Sequence, residues 1–137
     1  MYKAMLSIET RGRGLYDLSH ELVGLARASG VEDGLALIFV PHTSASLVLQ
    51  ENADPRVQDD LLDFFARLVP ENDPHYTHTA EGPDDMPAHI RSALTHSSEL
   101  IPVDGGALQL GTWQGLYLFE HRRQPHSRRV EIRIFGD

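Results

Sequence analysis

Apolar and polar positions alternate along the first nine residues, MYKAMLSIE, and this pattern predicts a β-strand. A turn and a short strand follow in GRGLYDLS. Residues 34–40 are apolar throughout, which predicts a buried strand, and residues 45–52 alternate again. Towards the C-terminus, Asp104-Gly105-Gly106 indicates a hairpin turn, and WQGLYLFEHR and RRVEIRIFG are predicted to form a closing pair of strands.

Helical periodicity occurs in three other segments. Residues 20–28 form the first, with Asp17 or Ser19 as its cap. Asp54 and Pro55 begin the second, because aspartate caps helices well and proline is tolerated in the first turn. Pro87 opens the third, with a preceding aspartate as cap. Because strands and helices are mixed and four strands follow the last helix, we predict one α+β domain over residues 1–137, with a mostly antiparallel sheet and three helices.

Composition and charge narrow the classes of function. The chain has no cysteine, so any metal site must use histidine and carboxylate ligands. Twelve Lys and Arg stand against 20 Asp and Glu, a net charge of -8 that argues against nucleic acid as a partner. No apolar run is long enough to span a membrane, and the N-terminus lacks a signal pattern, so we expect a cytoplasmic protein. One basic segment, HRRQPHSRR at 121–129, fits either a solvated turn or a local anion site.

The segment 71–85 shows no periodicity, and long unstructured loops in small domains are often functional. It contains His78, and His89 follows in the first turn of the third predicted helix. The partial positive charge at a helix N-terminus keeps an imidazole neutral, which is the form that binds metal. One of the two aspartates, Asp84 and Asp85, suffices as a cap, so the other is free to orient a histidine.

Two further histidines stand at predicted strand ends. His42 follows a buried strand in VPHTSAS, where a plain turn and a functional site are both consistent with the residues. His121 ends the strand LYLFEH beside Glu120, and the alternation of strand side chains directs these two residues to opposite faces. No two histidines have the His-x3-His spacing of a helical metal motif. The residues alone therefore indicate a small α+β domain with a candidate metal site of histidines and carboxylates.

The same region also offers donors for an anion. The N-terminal turn of the third helix, at residues 86–88, presents backbone N–H groups, and Arg122 adds a guanidinium. An acidic protein that handles phosphates needs such a concentrated donor site. We therefore predict that Arg122 and this helix terminus bind an anion.

Three blocks of sequence carry a resemblance to a known family. FVPHTSASLVLQENADP, EGPDDMPAHIRSAL and LGTWQGLYLFEHR, in this order, closely resemble the YjbQ-like family, which is associated with a secondary thiamine-phosphate synthase activity. The similarity extends from about residue 4 to residue 134. It implies an α+β domain that assembles as a homotrimer, with a pocket near the subunit interface. It also implies a transferase that joins a pyrimidine pyrophosphate to a thiazole phosphate.

The resemblance also implies roles for individual residues, with a divalent metal, zinc or magnesium, as cofactor and a small phosphorylated molecule as substrate. The implied metal ligands are His78, His89 and His121. The implied catalytic residues are His42, Asp85 and Glu120. The implied substrate-binding residues are Thr43, Ser44, Asn52, Thr112, Gln114 and Arg122. Two alternatives remain open at this point: a non-catalytic trimer that captures a metabolite or a metal, and a purely structural trimer.

Overall fold

A computed structural model describes residues 1–137, and its larger sheet has five strands in the order β1-β8-β3-β5-β6. These strands are β1 (Tyr2–Glu9), β3 (Asp33–Phe39), β5 (Ser98–Asp104), β6 (Ala107–Leu108) and β8 (Ser127–Gly136). Every pairing is antiparallel. The β5–β6 hairpin turns at Gly105 and Gly106, which have φ values of 59° and 73°, as the predicted glycine turn requires.

A second sheet has three strands in the order β2-β7-β4. Its strands are β2 (Gly14–Asp17), β4 (Ala45–Glu51) and β7 (Gln114–Glu120). The predicted closing pair of strands is therefore wrong, because β7 pairs with β2 and β4 while β8 lies in the other sheet. Both strands can be recognised from their apolar residues, but the partner that each strand pairs with depends on residues distant in the chain.

Three helices are present, as predicted: α1 (Ser19–Ser29), α2 (Pro55–Leu68) and α3 (Asp85–Leu94). The Asp54 side chain accepts a hydrogen bond from the Arg56 N–H, so the predicted cap of α2 is confirmed. Asp84 occupies the N-cap position of α3, one of the two predicted, but its side chain makes no capping hydrogen bond. The helix begins at Asp85, two residues before the predicted start at Pro87. Residues 70–84, between α2 and α3, contain no helix or strand. None of the three helices has both the length and the hydropathy of a membrane-spanning segment.

The core lies between the two sheets, with α1 closing one end. Strands of the larger sheet supply Ile38, Ile101, Val130, Ile132 and Ile134, and the smaller sheet supplies Leu47, Leu116 and Leu118. On the other face of β7, the Phe119 ring packs against Phe65 of α2 with ring centroids 5.4 Å apart. The outer face of the larger sheet stays exposed, including the apolar side chains of Met5, Leu35, Phe39, Leu100 and Phe135.

Substitution of Gly34 by alanine should destabilise the domain by about 1–3 kcal/mol, the usual cost of overpacking. Gly34 lies opposite Gly136 in the β3–β8 pairing, and a Cβ atom on Gly34 would lie 2.1 Å from the carbonyl oxygen of Phe135. Gly24 in α1 is the matched control, since a Cβ atom there would meet nothing within 4 Å. Gly24→Ala should stabilise the helix by about 0.5–1 kcal/mol. Urea unfolding of both variants measures the difference, and equal midpoints would contradict the close approach at Gly34.

Candidate metal centre

Four side chains at the start of α3 form a compact group of candidate ligands. His78 and Glu81 come from the preceding loop, and Asp85 and His89 are one turn apart on the helix. Their ligand atoms all lie within 4.8 Å of one another. Four ligands around a tetrahedral zinc ion, at about 2.0–2.2 Å from the metal, lie roughly 3.3 Å apart. The group therefore fits one such ion after small side-chain movements.

The orientation of His89 is fixed by a backbone carbonyl. Its Nδ1 lies 2.9 Å from the carbonyl oxygen of Thr43, which can only accept, so Nδ1 carries the proton. In the neutral ring Nε2 is then a bare lone pair, and it lies 3.1 Å from Oδ2 of Asp85. Two acceptors at this distance need a cation or an added proton between them. A carbonyl that fixes a histidine tautomer in this way is typical of metal sites.

His78 meets the same carboxylate from the loop side. Its Nε2 lies 2.7 Å from Oδ2 of Asp85 and 3.2 Å from Oε2 of Glu81. The hydrogen bond with Asp85 raises the pKa of His78, and the bond with Glu81 adds to it. Burial alone would raise the pKa of Asp85, but the hydrogen bond with His78 and the charge of Arg122 outweigh it and hold that pKa low. Asp85 is therefore an ionised carboxylate between two imidazoles.

Arg122 holds Asp85 from the other side. Its Nη1 donates to Oδ1 of Asp85 at 2.8 Å, its Nε donates to Oδ2 of Asp84 at 3.0 Å, and its Nη2 donates to the carbonyl of Glu81 at 3.1 Å. All three guanidinium nitrogens are thus engaged with the candidate metal centre. Arg122 was predicted to bind substrate, and the structure places it behind the ligands, where it orients Asp85.

The N-terminus of α3 is less open to an anion than predicted. The Ala88 N–H, one of the expected donors, already donates to the carbonyl of Asp84 at 3.1 Å. Pro87 and Ala88 are both buried. The two aspartates, expected as a cap and a spare, both bind Arg122 instead.

His121 lies outside the group of four ligands. Its ring is fully buried against Phe119, with ring centroids 4.2 Å apart, and its Nε2 lies 2.8 Å from Oγ of Ser46. Burial, together with the nearby charges of Arg91, Arg128 and Arg13, lowers the pKa of His121 to about 3. The structure therefore brings together two of the three predicted histidine ligands, His78 and His89, and adds Asp85 and Glu81.

Glu120 is enclosed at the end of β7. It accepts hydrogen bonds from Nε and Nη2 of Arg128 at 2.8 and 2.6 Å, and from the Thr10 hydroxyl at 2.7 Å. Burial favours its neutral form, but these hydrogen bonds outweigh burial and lower the pKa of Glu120. Its exposure is 0%, so the carboxylate predicted to be catalytic is placed away from any cleft. Thr10 and Arg128 carry no sequence motif that would have identified them as its partners.

His42, Thr43 and Ser44 belong to the loop between β3 and β4. Nε2 of His42 accepts from the backbone N–H of Arg129 at 2.9 Å. Burial, with the charges of Arg128 and Arg129, lowers the pKa of His42. The Thr43 carbonyl meets His89, while the Ser44 hydroxyl accepts from Arg128 at 3.0 Å. The VPHTS segment therefore contacts the candidate metal centre through the Thr43 carbonyl group, which accepts the hydrogen bond from His89.

The remaining predicted substrate residues lie elsewhere. Asn52 and Gln114 are joined by a hydrogen bond of 3.3 Å at one end of the β4–β7 pair, with Thr112 close by in the chain. Ser44 and His121 lie at the opposite end of the same pair. Six residues of strand, at about 3.3 Å each, separate the two ends by roughly 20 Å. Within one chain, the predicted substrate residues therefore form two separate groups.

A polar cleft of about 260 Å³ opens beside the candidate metal centre. His78, Tyr76, Gly82 and Met86 are among its lining residues. A more apolar cleft of about 300 Å³ lies between α2 and β4 and contains none of the four candidate ligands. Charged and polar ligands suit the first cleft better, because its walls already hold the titratable groups.

Glu81 is the ligand that sequence reasoning missed. It stands four residues before Asp85 and eight before His89. Gly82 and Pro83 interrupt the segment, so no helical periodicity marked the spacing as one face. Only the turn at Gly82, with φ of 102°, brings Glu81 back towards the helix.

Comparison with known proteins gives a consistent relationship across the whole chain. The family model described as "UPF0047 protein YjbQ-like" matches residues 4–137. The UPF0047 protein sll1880 of Synechocystis is 52% identical over 99% of this chain and 92% of that protein. The UPF0047 protein YjbQ of Escherichia coli O157:H7 is 42% identical, with 99% of each chain covered.

Solved structures show the same architecture. The hypothetical protein APE1520 from Aeropyrum pernix K1 superposes with a TM-score of 0.90 at 29% identity, and all of both chains is covered. A YjbQ/UPF0047 family protein from Clostridium acetobutylicum, an orthologue of Bacillus subtilis YugU, gives a TM-score of 0.86 at 35% identity. That comparison covers 98% of this chain and 100% of the other.

Proposed function

The chain belongs to the UPF0047 YjbQ-like family, and from this premise we propose that it is a metal-dependent enzyme acting on a small phosphorylated molecule. The observation that carries the proposal is the group of His78, Glu81, Asp85 and His89, whose ligand atoms converge while Thr43 and Arg122 orient them. Two imidazoles among the ligands favour zinc over magnesium, which prefers oxygen ligands. The bound ion would neutralise the charge that develops on a phosphate leaving group.

The protein's overall charge makes this local site necessary. A net charge of -8 repels phosphates, and the Ala88 N–H at the α3 terminus and the three guanidinium nitrogens of Arg122 are already engaged. Phosphate binding at this centre therefore depends on a bound cation. In this arrangement Arg122 binds the carboxylates and the adjoining cleft receives the ligand.

The specific reaction we propose is a thiamine-phosphate synthase-like transfer. The bond between the methylene carbon of the pyrimidine and its pyrophosphate breaks, a bond from that carbon to the thiazole nitrogen forms, and pyrophosphate leaves. The family resemblance supplies the substrates, and the polar cleft beside His78 supplies a place for the pyrophosphate end. His42 stays a predicted catalytic residue of this reaction, and its Nε2 accepts a hydrogen bond from the backbone N–H of Arg129.

A direct test measures thiamine phosphate formation from the two precursors by the zinc-loaded protein and by protein treated with a chelator. Turnover should require the metal, and phosphate and pyrophosphate should bind only to the loaded protein. Arg122→Gln should weaken zinc affinity by about 10–100-fold, the usual effect of losing a partner of a metal ligand. Arg27→Gln, at an exposed position of α1, is the control. Zinc and pyrophosphate binding without turnover would instead support a non-catalytic metabolite-binding module.

We also propose that the protein assembles as a homotrimer with its pocket near the subunit interface. The family resemblance supplies the symmetry, and the exposed apolar face of the larger sheet supplies a surface that monomers rarely leave uncovered. The two separated groups of predicted substrate residues also fit a pocket completed by a neighbouring subunit.

Sedimentation should give a mass of about 46 kDa, three times the 15.3 kDa chain, at micromolar concentration. Leu100→Glu, at a side chain that is 57% exposed on the sheet face, should shift the protein towards monomer. Ala28→Glu, on exposed α1, should leave the mass unchanged. A wild-type mass of one chain would rule the trimer out.

A further inference from the structure

The apolar cleft between α2 and β4, called the α2 cleft from here on, is a second candidate binding site. Its volume of about 300 Å³ is at the lower end of the range of ligand pockets, roughly 300–1,000 Å³. Seven of its eleven lining residues are apolar, and none of them is a candidate metal ligand. The α2 cleft therefore suits a small molecule with an apolar body, and it is separate from the metal centre.

Apolar side chains from three elements form the walls of the α2 cleft. β4 contributes Leu47 and Leu49, α2 contributes Leu61 and Phe65, and β7 contributes Phe119. Although α2 is amphipathic, none of its residues is buried. Leu61 and Phe65 therefore stay partly exposed to the cleft, and an apolar ligand would remove them from water.

The β4 side of the α2 cleft is held by backbone hydrogen bonds. The Leu47 N–H donates to the carbonyl oxygen of His96 at 2.6 Å, and the His96 N–H donates to the carbonyl oxygen of Leu47 at 3.3 Å. Along its other edge, β4 pairs with β7 over residues 45–51. This wall is thus formed before any ligand arrives, and binding orders little of the backbone.

Glu99 of β5 gives the α2 cleft one carboxylate. Its side chain is only 15% exposed, and its Oε1 lies 2.5 Å from Nδ1 of His96, whose ring is 67% exposed. Because an ionised carboxylate can only accept, Nδ1 of His96 carries the proton. Oε2 of Glu99 makes no hydrogen bond or salt bridge within the chain, so it is free to accept one from a ligand.

The charges around the α2 cleft favour a cationic ligand over an anionic one. Its lining residues include no lysine or arginine, and Glu99 is the only carboxylate among them. A neutral His96 donates one hydrogen bond to Glu99 but leaves the negative charge in place. The net charge of -8 on the whole chain acts in the same direction. An ammonium group would pair with Glu99, whereas a carboxylate would lose its hydration without gaining a counter-charge.

We propose that the α2 cleft binds a small primary amine, with its aromatic or aliphatic body between α2 and β4 and its ammonium group on Oε2 of Glu99. A volume of about 300 Å³ is too small for a helix of a partner protein, which is about 10 Å across with its side chains. The size of the cleft thus selects a small molecule, and Glu99 selects its charge. This binding requires neither the metal nor the proposed transfer reaction.

Titration of the ¹⁵N-labelled chain with phenethylamine, 2-phenylethanol and phenylacetate tests the proposal, because these probes share a phenyl ring and differ in charge. At pH 8, where histidines are mostly neutral, phenethylamine should shift the backbone NMR signals of residues 47–50 and 95–96. It should bind at least about tenfold more tightly than phenylacetate, as a hydrogen bond between charged groups implies. The affinity of 2-phenylethanol should lie between the two. This comparison uses the wild-type protein and does not depend on how any variant folds.

Glu99→Gln then isolates the carboxylate, since it keeps the size of the side chain and removes its charge. The variant should bind phenethylamine about as weakly as 2-phenylethanol and should keep the wild-type affinity for 2-phenylethanol. Glu21→Gln, at an exposed position on α1, is the matched control and should keep the preference for the amine.

Several results would overturn the amine site. These are no shift of the cleft signals at about 10 mM phenethylamine, the affinity range of so small a molecule, or phenylacetate binding as tightly as the amine. Retention of the amine preference by Glu99→Gln would have the same meaning. Cleft signals that shift with protein concentration alone would assign the α2 cleft to a second copy of the chain instead.

Discussion

Replacement of His89 by alanine is expected to lower zinc affinity by more than about 100-fold. Loss of a residue that only supports a metal ligand costs about 10–100-fold, and His89 is itself a proposed ligand. His89 offers Nε2 to the centre while its Nδ1 is held by the Thr43 carbonyl, so the substitution removes a ligand and the contact that orients it. Asp85→Asn should have an effect of similar size. It removes the charge at the carboxylate shared by His78, His89 and Arg122.

Matched histidine variants make this measurement specific. His20→Ala, at an exposed position on α1, should keep wild-type affinity. His121→Gln distinguishes the predicted three-histidine site from the group of His78, Glu81, Asp85 and His89. Because His121 lies outside that group, this variant should keep its zinc. Unchanged zinc stoichiometry in His89→Ala and Asp85→Asn would refute the centre. Loss of zinc in His121→Gln, with the fold intact, would favour the three-histidine site.

Substitution of Arg128 by methionine is expected to cost about 3–5 kcal/mol of unfolding free energy. Glu120 is 0% exposed, and Arg128 supplies two of its hydrogen bonds, so the variant leaves a buried carboxylate with its charge uncompensated. A loss of this size is a large part of the stability of an ordinary domain. The double variant Glu120→Gln, Arg128→Met should be less destabilised than Arg128→Met alone, because it removes the orphaned charge.

The neighbouring Arg129 is the control for this prediction. Its side chain is exposed, and its structural contacts are made by the backbone, in the N–H bond to His42 and the pairing with Ser7 of β1. Arg129→Met should therefore change stability by no more than about 0.5 kcal/mol. Denaturant unfolding followed by circular dichroism measures all three variants. Equal losses in Arg128→Met and Arg129→Met would contradict a specific role for the buried pair.

The same pair predicts how stability depends on pH. The pKa of Glu120 in the folded protein is lowered from its usual 4.5, because the hydrogen bonds from Arg128 and Thr10 outweigh the effect of burial. Its stabilisation is fully present above pH 4.5 and is lost as the pH falls through the lowered folded value. The double variant should lack this component of the acid transition.

The sequence by itself determined the elements and their order. Approximate alternation marked β1, a short apolar run marked β3, and an aspartate–proline pair marked the start of α2. Gly105 and Gly106 located a hairpin, because its tight turn requires positive φ angles at both central residues and glycine adopts them readily. These features are local, since backbone geometry and side-chain periodicity act over a few residues. The family resemblance rested on the same kind of contiguous information.

Only the tertiary structure decided which elements meet and which polar groups become partners. β7 and β8 adjoin in sequence but lie in different sheets, because β7 pairs with β2 and β4 while β8 pairs with β1 and β3. His121 was grouped with His78 and His89 by residue type, yet the fold buries it beside Ser46 and puts Glu81 at the centre instead. Arg122, Glu120 and Arg91 are all charged residues, and the sequence does not show how their structural roles differ. Their neighbours in space make the first a support for Asp85, the second half of a buried pair and the third a cation without a carboxylate.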